Sequence, residues 1–197
     1  MTDNRLEVLL EYTDEELYMR FINGDDEEAV KTLFERYRRA LTLFIDETVL
    51  HNPYDAEELM MDCFAAVISK TTRYKGRHGA SFKTWLYGMA RHKAISFLRK
   101  RSKEYQPFEE SEEIVSDKAL PEDDVVKNDI YEKLHHAMEG LPDDYRLVLY
   151  LKFFEQMKPE EIAGVMNKSV KQIYNLTDRG KDRLKSVLED GGFTWDM

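Results

Sequence analysis

Ser81-Phe-Lys-Thr-Trp-Leu-Tyr-Gly-Met-Ala-Arg-His-Lys-Ala-Ile-Ser-Phe-Leu-Arg-Lys-Arg-Ser-Lys103 is the stretch on which the reading of this chain turns. Phe82, Leu86, Met89, Ala90, Ala94 and Phe97 recur at helical spacing and predict one apolar stripe. Trp85, His92 and Arg99 repeat every seven residues on an edge outside that stripe. Ser81 is the expected N-cap, because its hydroxyl can accept from the first free backbone N–H groups. From Lys70 to Lys103 no residue is acidic, yet eleven are Lys or Arg: Lys70, Arg73, Lys75, Arg77, Lys83, Arg91, Lys93, Arg99, Lys100, Arg101 and Lys103. Tyr74, Phe82, Trp85, Tyr87 and Phe97 are interleaved with them. The whole chain carries a formal charge of -10, so the remainder sums to -21 by difference. Cations attract phosphates and aromatic faces stack on unpaired bases, so this segregation points to nucleic acid, single strands included. The bland alternative is a solvated basic helix whose aromatics are core.

Just upstream, Thr71-Thr-Arg-Tyr-Lys-Gly-Arg-His-Gly-Ala80 has two glycines and no apolar period, which predicts a basic loop bearing Tyr74. Before that, Thr13-Asp-Glu-Glu16 fits a capping box and Leu17, Phe21 and Ile22 follow it. Asn23-Gly24 ends this helix, and Asp25 or Asp26 caps a longer one. Its buried stripe is Ala29, Val30, Leu33, Phe34, Tyr37, Leu41, Phe44 and Ile45, with Arg36, Arg38 and Arg39 off it. After a turn at Asn52-Pro53, a third helix starts near Asp55. Leu59, Cys63, Phe64, Val67 and Ile68 face inward there, and Glu57, Glu58 and Asp62 face outward. Such an acidic face is either solvated or the seat of a basic partner.

Downstream, Glu104 to Asp129 holds ten acidic residues against Lys118 and Lys127, with two prolines. That composition buries too little apolar surface to order itself and predicts a flexible acidic linker. It is either a spacer or a segment that threads a basic channel or covers a DNA site. A second domain follows, read as four helices. The first ends at Gly140; the next opens at Pro142-Asp-Asp144 and runs through Tyr145-Arg-Leu-Val-Leu-Tyr-Leu-Lys-Phe-Phe154, apolar nearly all round and expected to be buried. Lys158 to Met166 is a short helix, Asn167-Lys168 a turn, and Ser169 the N-cap of a long last helix. Val170, Ile173, Leu176, Gly180, Leu184, Val187 and Leu188 face inward; Lys171, Gln172, Tyr174, Asn175, Asp178 and Arg179 face out. Short helix, tight turn and a helix with long polar side chains is the helix-turn-helix pattern, although plain helical hairpins share it.

The fold class is therefore all-α: residues 1–103 and 130–197 as two small helical domains, joined by an acidic linker over 104–129, the second domain a helix-turn-helix. Cys63 is the single cysteine, which excludes an internal disulfide and a multi-cysteine metal site. The N-terminus has no apolar signal region and no 18-residue apolar run exists, so a soluble cytoplasmic chain without membrane insertion is expected. Neither cofactor nor metal is expected. His135 and His136 are adjacent and point about 100° apart on a helix. No phosphate-cradling glycine loop, nucleophile elbow or His-x-x-x-His appears, which argues against an enzyme.

Taken together, the two halves resemble the extracytoplasmic-function class of bacterial sigma factors. The carriers are Asp55-Ala-Glu-Glu-Leu-Met-Met-Asp-Cys-Phe64, Phe82-Lys-Thr-Trp-Leu-Tyr-Gly-Met-Ala-Arg-His-Lys-Ala94 and Phe97-Leu-Arg-Lys-Arg101 in the first half. In the second they are Leu141-Pro-Asp-Asp-Tyr-Arg-Leu-Val-Leu149, Glu160-Glu-Ile-Ala163 and Ser169-Val-Lys-Gln-Ile173, continued by Arg179, Lys181 and Leu184. The resemblance implies a dissociable subunit of bacterial RNA polymerase that directs initiation at chosen promoters. Asp55, Glu57, Glu58, Met61 and Asp62 would then face the polymerase clamp helices. Arg73, Tyr74, Lys75, Arg77, Lys83, Trp85, Arg91, His92, Lys93 and Arg99 would bind and open the minus-ten element. Lys168, Lys171, Gln172, Tyr174, Asn175 and Arg179 would bind the minus-thirty-five element, the second domain also sitting on the polymerase flap. An anti-sigma factor, often membrane-bound in this family, is implied as a further partner, though no residue identifies it. Two departures stand out: Tyr174, Asn175 and Leu176 carry less positive charge than family recognition helices, with Asp178 adverse to phosphate, and Thr177 at the edge of the inward stripe is expected to loosen its packing. The competing class is an ordinary helix-turn-helix regulator, which leaves the aromatic basic segment unexplained.

Overall fold

A computed structural model describes residues 9, 11–24, 26–104 and 133–191. It is all-helical among the described residues and divides into two units whose main bodies are residues 1–104 and 105–197. The acidic linker expected over 104–129 lies outside the described residues from position 105 onward.

The first unit is built from α1 (Asp14–Gly24), α2 (Glu27–Ile45), α3 (Pro53–Ile68) and α4 (Phe82–Glu104). The capping box at its start is real: the Thr13 N–H donates to Glu16 at 2.8 Å and the Glu16 N–H to Thr13 Oγ1 at 3.3 Å. The Thr13 N–H, and the Thr13 hydroxyl donating to the same oxygen at 2.9 Å, hold the Glu16 carboxyl below its ordinary pKa. Asp26 occupies the N-cap of α2, but its carboxylate makes no cap bond and takes Arg20 instead, at 3.1 Å. Beyond Ile45 the chain widens into a π-turn, Asp46–Leu50, which closes on a left-handed His51 (φ 52°). Nothing in the periodicity foretold it. α3 then starts at Pro53, two residues before the expected Asp55, because Asn52 accepts from the Asp55 N–H at 3.0 Å and proline suits the first turn.

The core of this unit is aromatic. Tyr18, Phe44, Phe64, Phe82 and Tyr87 are all fully buried. Tyr87, one of the aromatics interleaved with the cations, packs 4.8 Å from Phe44 and 6.4 Å from Tyr37 and so belongs to the core. Tyr37 donates its hydroxyl to Asp14, which also takes Arg36. Burial, then that hydrogen bond, raises the Tyr37 phenol far above its ordinary range. Burial likewise pushes the Cys63 thiol up to about 12, so it acts as a small apolar group at neutral pH. Ile68, expected inward, is 52% exposed: α3 presents it along the same outer line as Met61, one heptad earlier.

The second unit comprises α5 (133–139), α6 (Asp143–Phe153), α7 (Pro159–Met166) and α8 (Val170–Asp190). α6 buries Leu147, Val148, Leu149 and Leu151 against α8 and its neighbours. A Cβ on Gly180 would sit 3.3 Å from Leu149 Cγ, so the bare backbone there lets α8 approach α6 closely. Thr177, expected at the edge of the inward stripe, is fully buried. Phe153 and Phe154 depart from the buried centre expected for this segment: both are about half exposed, since the helix ends at Phe153 and turns away from its core face.

Candidate nucleic-acid and protein interfaces

The loop between α3 and α4 is shaped by its aromatic. Tyr74 donates its N–H to the Tyr18 hydroxyl at 3.0 Å and its own hydroxyl to the Ala80 carbonyl at 2.7 Å, bracing the loop across its base. Gly76 is left-handed (φ 56°), and a Cβ there would come 3.3 Å from the Tyr74 hydroxyl. With Tyr74 turned in, Arg73 and Lys75 on either side turn out, and Arg77 follows them. All three are exposed and make no ion pair with a described carboxylate.

α4 begins where expected. Ser81 Oγ accepts from the Thr84 N–H at 3.1 Å. The Phe82 N–H has a partner the sequence did not announce, Glu15 Oε1 of α1 at 2.7 Å. Trp85 does not stand free on its edge. Its ring lies 5.4 Å from Phe82, 5.9 Å from Tyr74 and 6.0 Å from Tyr18, so it is half-buried in a four-ring cluster. His92 and Arg99 continue the exposed row beyond it, and Arg91 is half-buried beside them. The other cations serve differently. Lys93 is half-buried near Cys63, where its charge opposes the rise of the thiol pKa. Lys83 lies over the Tyr87 ring at 5.6 Å, Lys70 over Phe21 at 5.2 Å, and Arg101 pairs with Asp55 at 2.8 Å. The eleven cations therefore do not form one face: the outward set is Arg73, Lys75 and Arg77 on the loop and Arg99, Lys100 and Lys103 toward the end of α4, with exposed His92 on the same helix.

On α3, Glu57, Glu58, Met61 and Asp62 are exposed, while Asp55 is half-buried and held by Arg101. Tyr54 is 81% exposed, Met61 51% and Ile68 52%. With Glu58 and exposed Ala65 between them, the spacing 54-58-61-65-68 alternates four and three, the seam that a second helix packs into. The heptad interval of Tyr54, Met61 and Ile68 was the available signal for Tyr54 and Ile68.

In the second unit, α7, a turn through left-handed Asn167 (φ 52°) and α8 make the helix-turn-helix. Ser169 caps α8 in a full capping box: the Gln172 N–H donates to Ser169 Oγ at 3.3 Å, and Gln172 Oε1 accepts from the Ser169 N–H at 2.8 Å. The Gln172 carbonyl oxygen is thus committed to its own helix. Lys168 is half-buried and pairs with Asp144 at 3.0 Å. Lys171, Tyr174, Asn175, Asp178 and Arg179 are exposed. Lys171, Asn175 and Arg179 form a straight i, i+4, i+8 row opposite the buried Ile173, Thr177 and Gly180, with no hydrogen bond or ion pair to a described residue. Beside this helix, Lys152 and Lys181 lie 5.8 and 5.9 Å over the exposed Phe153 ring.

Among the described residues no three metal-ligating side chains gather, and no helix is long and apolar enough to cross a membrane.

Comparison with known proteins agrees on both halves. The family model for Sigma-70 region 2 matches residues 33–104, and that for Sigma-70 region 4 matches residues 131–184. The chain is 30% identical over 124 residues to the RNA polymerase sigma factor SigV of Bacillus subtilis, covering 62% of this chain and 69% of that protein. It is 28% identical over 151 residues to the ECF RNA polymerase sigma factor SigW of the same organism, covering 72% and 80%. The RNA polymerase sigma-H factor of Pseudomonas aeruginosa is 25% identical over 191 residues, 92% of this chain and 97% of that one. In fold, the chain is similar to CnrH in complex with the cytosolic domain of CnrY, with a TM-score of 0.63, 17% identity, and coverage of 90% and 97%. It is also similar to the sigma factor RpoE in complex with the anti-sigma factor NepR from Bartonella quintana, with a TM-score of 0.60, 19% identity, and coverage of 81% and 96%. A basic aromatic unit, a helix-turn-helix unit and both matching family models in chain order lead to one assignment: the chain belongs to the extracytoplasmic-function class of the bacterial sigma-70 family.

Proposed function

We propose that this chain is the dissociable sigma subunit of a bacterial RNA polymerase, non-enzymatic itself, which directs initiation at promoters it selects. The observation that carries this reading is the division of surface on the first unit. One face of it, on α3, is an acidic apolar seam suited to a helix; another, the loop and outer edge of α4, is basic and backed by aromatics. A subunit that must hold polymerase and DNA at once needs both. The α3 seam holds the core enzyme, and Phe153 and Phe154 give the second unit an apolar anchor of its own for it. Arg73, Lys75, Arg77, His92 and Arg99 contact the minus-ten strand, and the part of Trp85 and Tyr74 left uncovered borders it. By the same likeness, an anti-sigma factor competes for these surfaces and keeps the subunit from the core. The test is run-off transcription with sigma-free polymerase on a library of genomic promoters. Discrete start sites that appear only when the chain is added are expected; none, with the chain still binding duplex DNA alone, would leave an ordinary regulator.

Recognition of the minus-thirty-five element falls to α8. Reading an adenine with both N6 and N7 takes the oxygen and the nitrogen of a carboxamide together. Gln172 has spent its oxygen on the cap, whereas Asn175 is exposed and bonds to no described residue. Asn175→Ala is expected to lose about 1–3 kcal/mol of preference at a single base pair. Gln172→Ala instead weakens the start of α8 by about 0.5–1 kcal/mol and lowers use of all upstream elements together. Arg179→Ala also acts on all sequences but lowers the salt slope by roughly one unit. Transcription across a randomised upstream element, at two salt concentrations, separates the three patterns.

A further inference from the structure

The seam on α3 does not stop at the end of its helix. Tyr54 to Ile68 spans about 21 Å, four turns, at 1.5 Å per residue. At its far end Ile68 forms one wall of an open depression of about 520 Å³, whose other walls are Phe21, Glu27, Val30 and Lys70. Phe21 and Val30 are almost fully buried and supply an apolar floor. The backbone reverses at Lys70 in the left-handed region (φ 56°), rare for a side chain of this kind. The Lys70 ammonium lies over the Phe21 ring at 5.2 Å and covers part of that floor. The half-exposed Ile68 therefore belongs to two features at once, the last position of the seam and the lip of the depression.

We propose that this depression is the terminal anchor pocket of the polymerase-binding face, and that it takes one large apolar side chain from the core-enzyme helix lying along α3. The proposal rests on the reading of α3 as that face. Two observations choose the occupant. The depression is continuous with the seam through Ile68, so a helix in register with Tyr54, Met61 and Ala65 reaches it with its next apolar position. The flank along the seam is acidic, at Glu57 and Asp62, with Glu58 on the seam itself, while at the pocket rim Glu27 and Lys70 balance in charge. The partner is thus a helix with basic residues beside its apolar line and a leucine, methionine or aromatic residue at its end. Interfaces concentrate their affinity in such filled, water-excluding pockets.

The experiment titrates fluorescently labelled full-length chain with core polymerase. Ile68→Arg places a charge at the lip and is expected to raise Kd about ten-fold or more; Ile68→Ala should raise it a few-fold. A photo-crosslinking residue at position 68 should capture the same polymerase subunit as one at position 61. Met61→Arg serves as the control for the underlying reading. If Met61→Arg weakens binding while both Ile68 variants bind like wild type, or if position 68 captures no polymerase subunit, the pocket is not an anchor. If Met61→Arg is also without effect, α3 is not the polymerase face and the reading beneath the proposal falls. Should Ile68→Arg lower the unfolding temperature, the conservative Ile68→Ala and the crosslink decide the matter.

Discussion

Replacing Arg73, Lys75 and Arg77 together by glutamine is expected to weaken the grip of the holoenzyme on an opened promoter on the order of 100-fold at physiological salt. The three side chains are exposed, carry no ion pair to a described carboxylate, and sit on a loop whose shape is held by Tyr74 and Gly76 rather than by the cations. Glutamine keeps their polarity on a shorter side chain, and the positions are exposed, so folding should be unchanged. What is lost is the release of counterions from phosphates. Each single-strand contact contributes about 0.7 to the slope of log affinity against log salt, so the triple variant should lower that slope by about two. The measurement is binding to a bubble template from low to high salt. An unaltered slope would mean that the loop does not meet phosphate, whatever happens to the affinity. The same substitution should barely affect binding to core polymerase, because the loop and the exposed line of α3 are different surfaces of the unit.

Trp85→Ala is expected to lower the stability of the first unit by about 2–3 kcal/mol, less than deleting a fully buried aromatic costs because Trp85 is only half-buried. The ring packs on Tyr18, Phe82 and Tyr74, and Tyr74 in turn braces the loop, so the cavity would loosen Arg73, Lys75 and Arg77 as well. Trp85→Phe keeps much of the contact and should recover most of the loss. Urea unfolding of the full chain measures this. Transcription from duplex and pre-opened templates, at a temperature where every variant is folded, then isolates stacking on a base. A defect on duplex that vanishes on the bubble for both variants assigns the exposed part of the indole to strand opening. A defect shared by both templates and cured by Trp85→Phe assigns it to packing alone.

How far these surfaces were legible depended on whether the causes were local. The 3.6-residue period placed α2, α3, α4 and α8 because a helix writes its buried face into nearby residues. Thr13 with Glu16, and Ser169 as N-cap, could be read for the same reason: cap and partner lie three residues apart. The contacts that adjust function could not. Glu15 meets the Phe82 N–H across 67 residues of sequence, and Arg101 meets Asp55 across 46. Only the folded unit brings either pair together. Tyr87 looked like one more aromatic among cations, yet it is core, since a stripe counted from Phe82 and Leu86 leaves out the second row that faces α2. Gln172 shows a different difficulty. A residue suited to two tasks, cap and base contact, cannot be divided between them by spacing alone; the bond from the Ser169 N–H shows the first of them.

Glu15 has a consequence for how this protein handles DNA. The first turn of a helix is ordinarily a ready anion site, with backbone N–H groups pointing outward and the helix dipole behind them. At the head of α4 that site is taken: Glu15 holds the Phe82 N–H and Ser81 holds that of Thr84. A phosphate arriving there would meet a carboxylate already in place. On the proposed reading of α4 as a strand-binding helix, its first turn would offer the strand no free cradle at these two N–H groups, and contact would be left to long side chains along its edge and on the loop. Such a hold would be assembled from many weak, ion-sensitive attachments instead of one deep seat, so it could slip from nucleotide to nucleotide and be undone piecemeal.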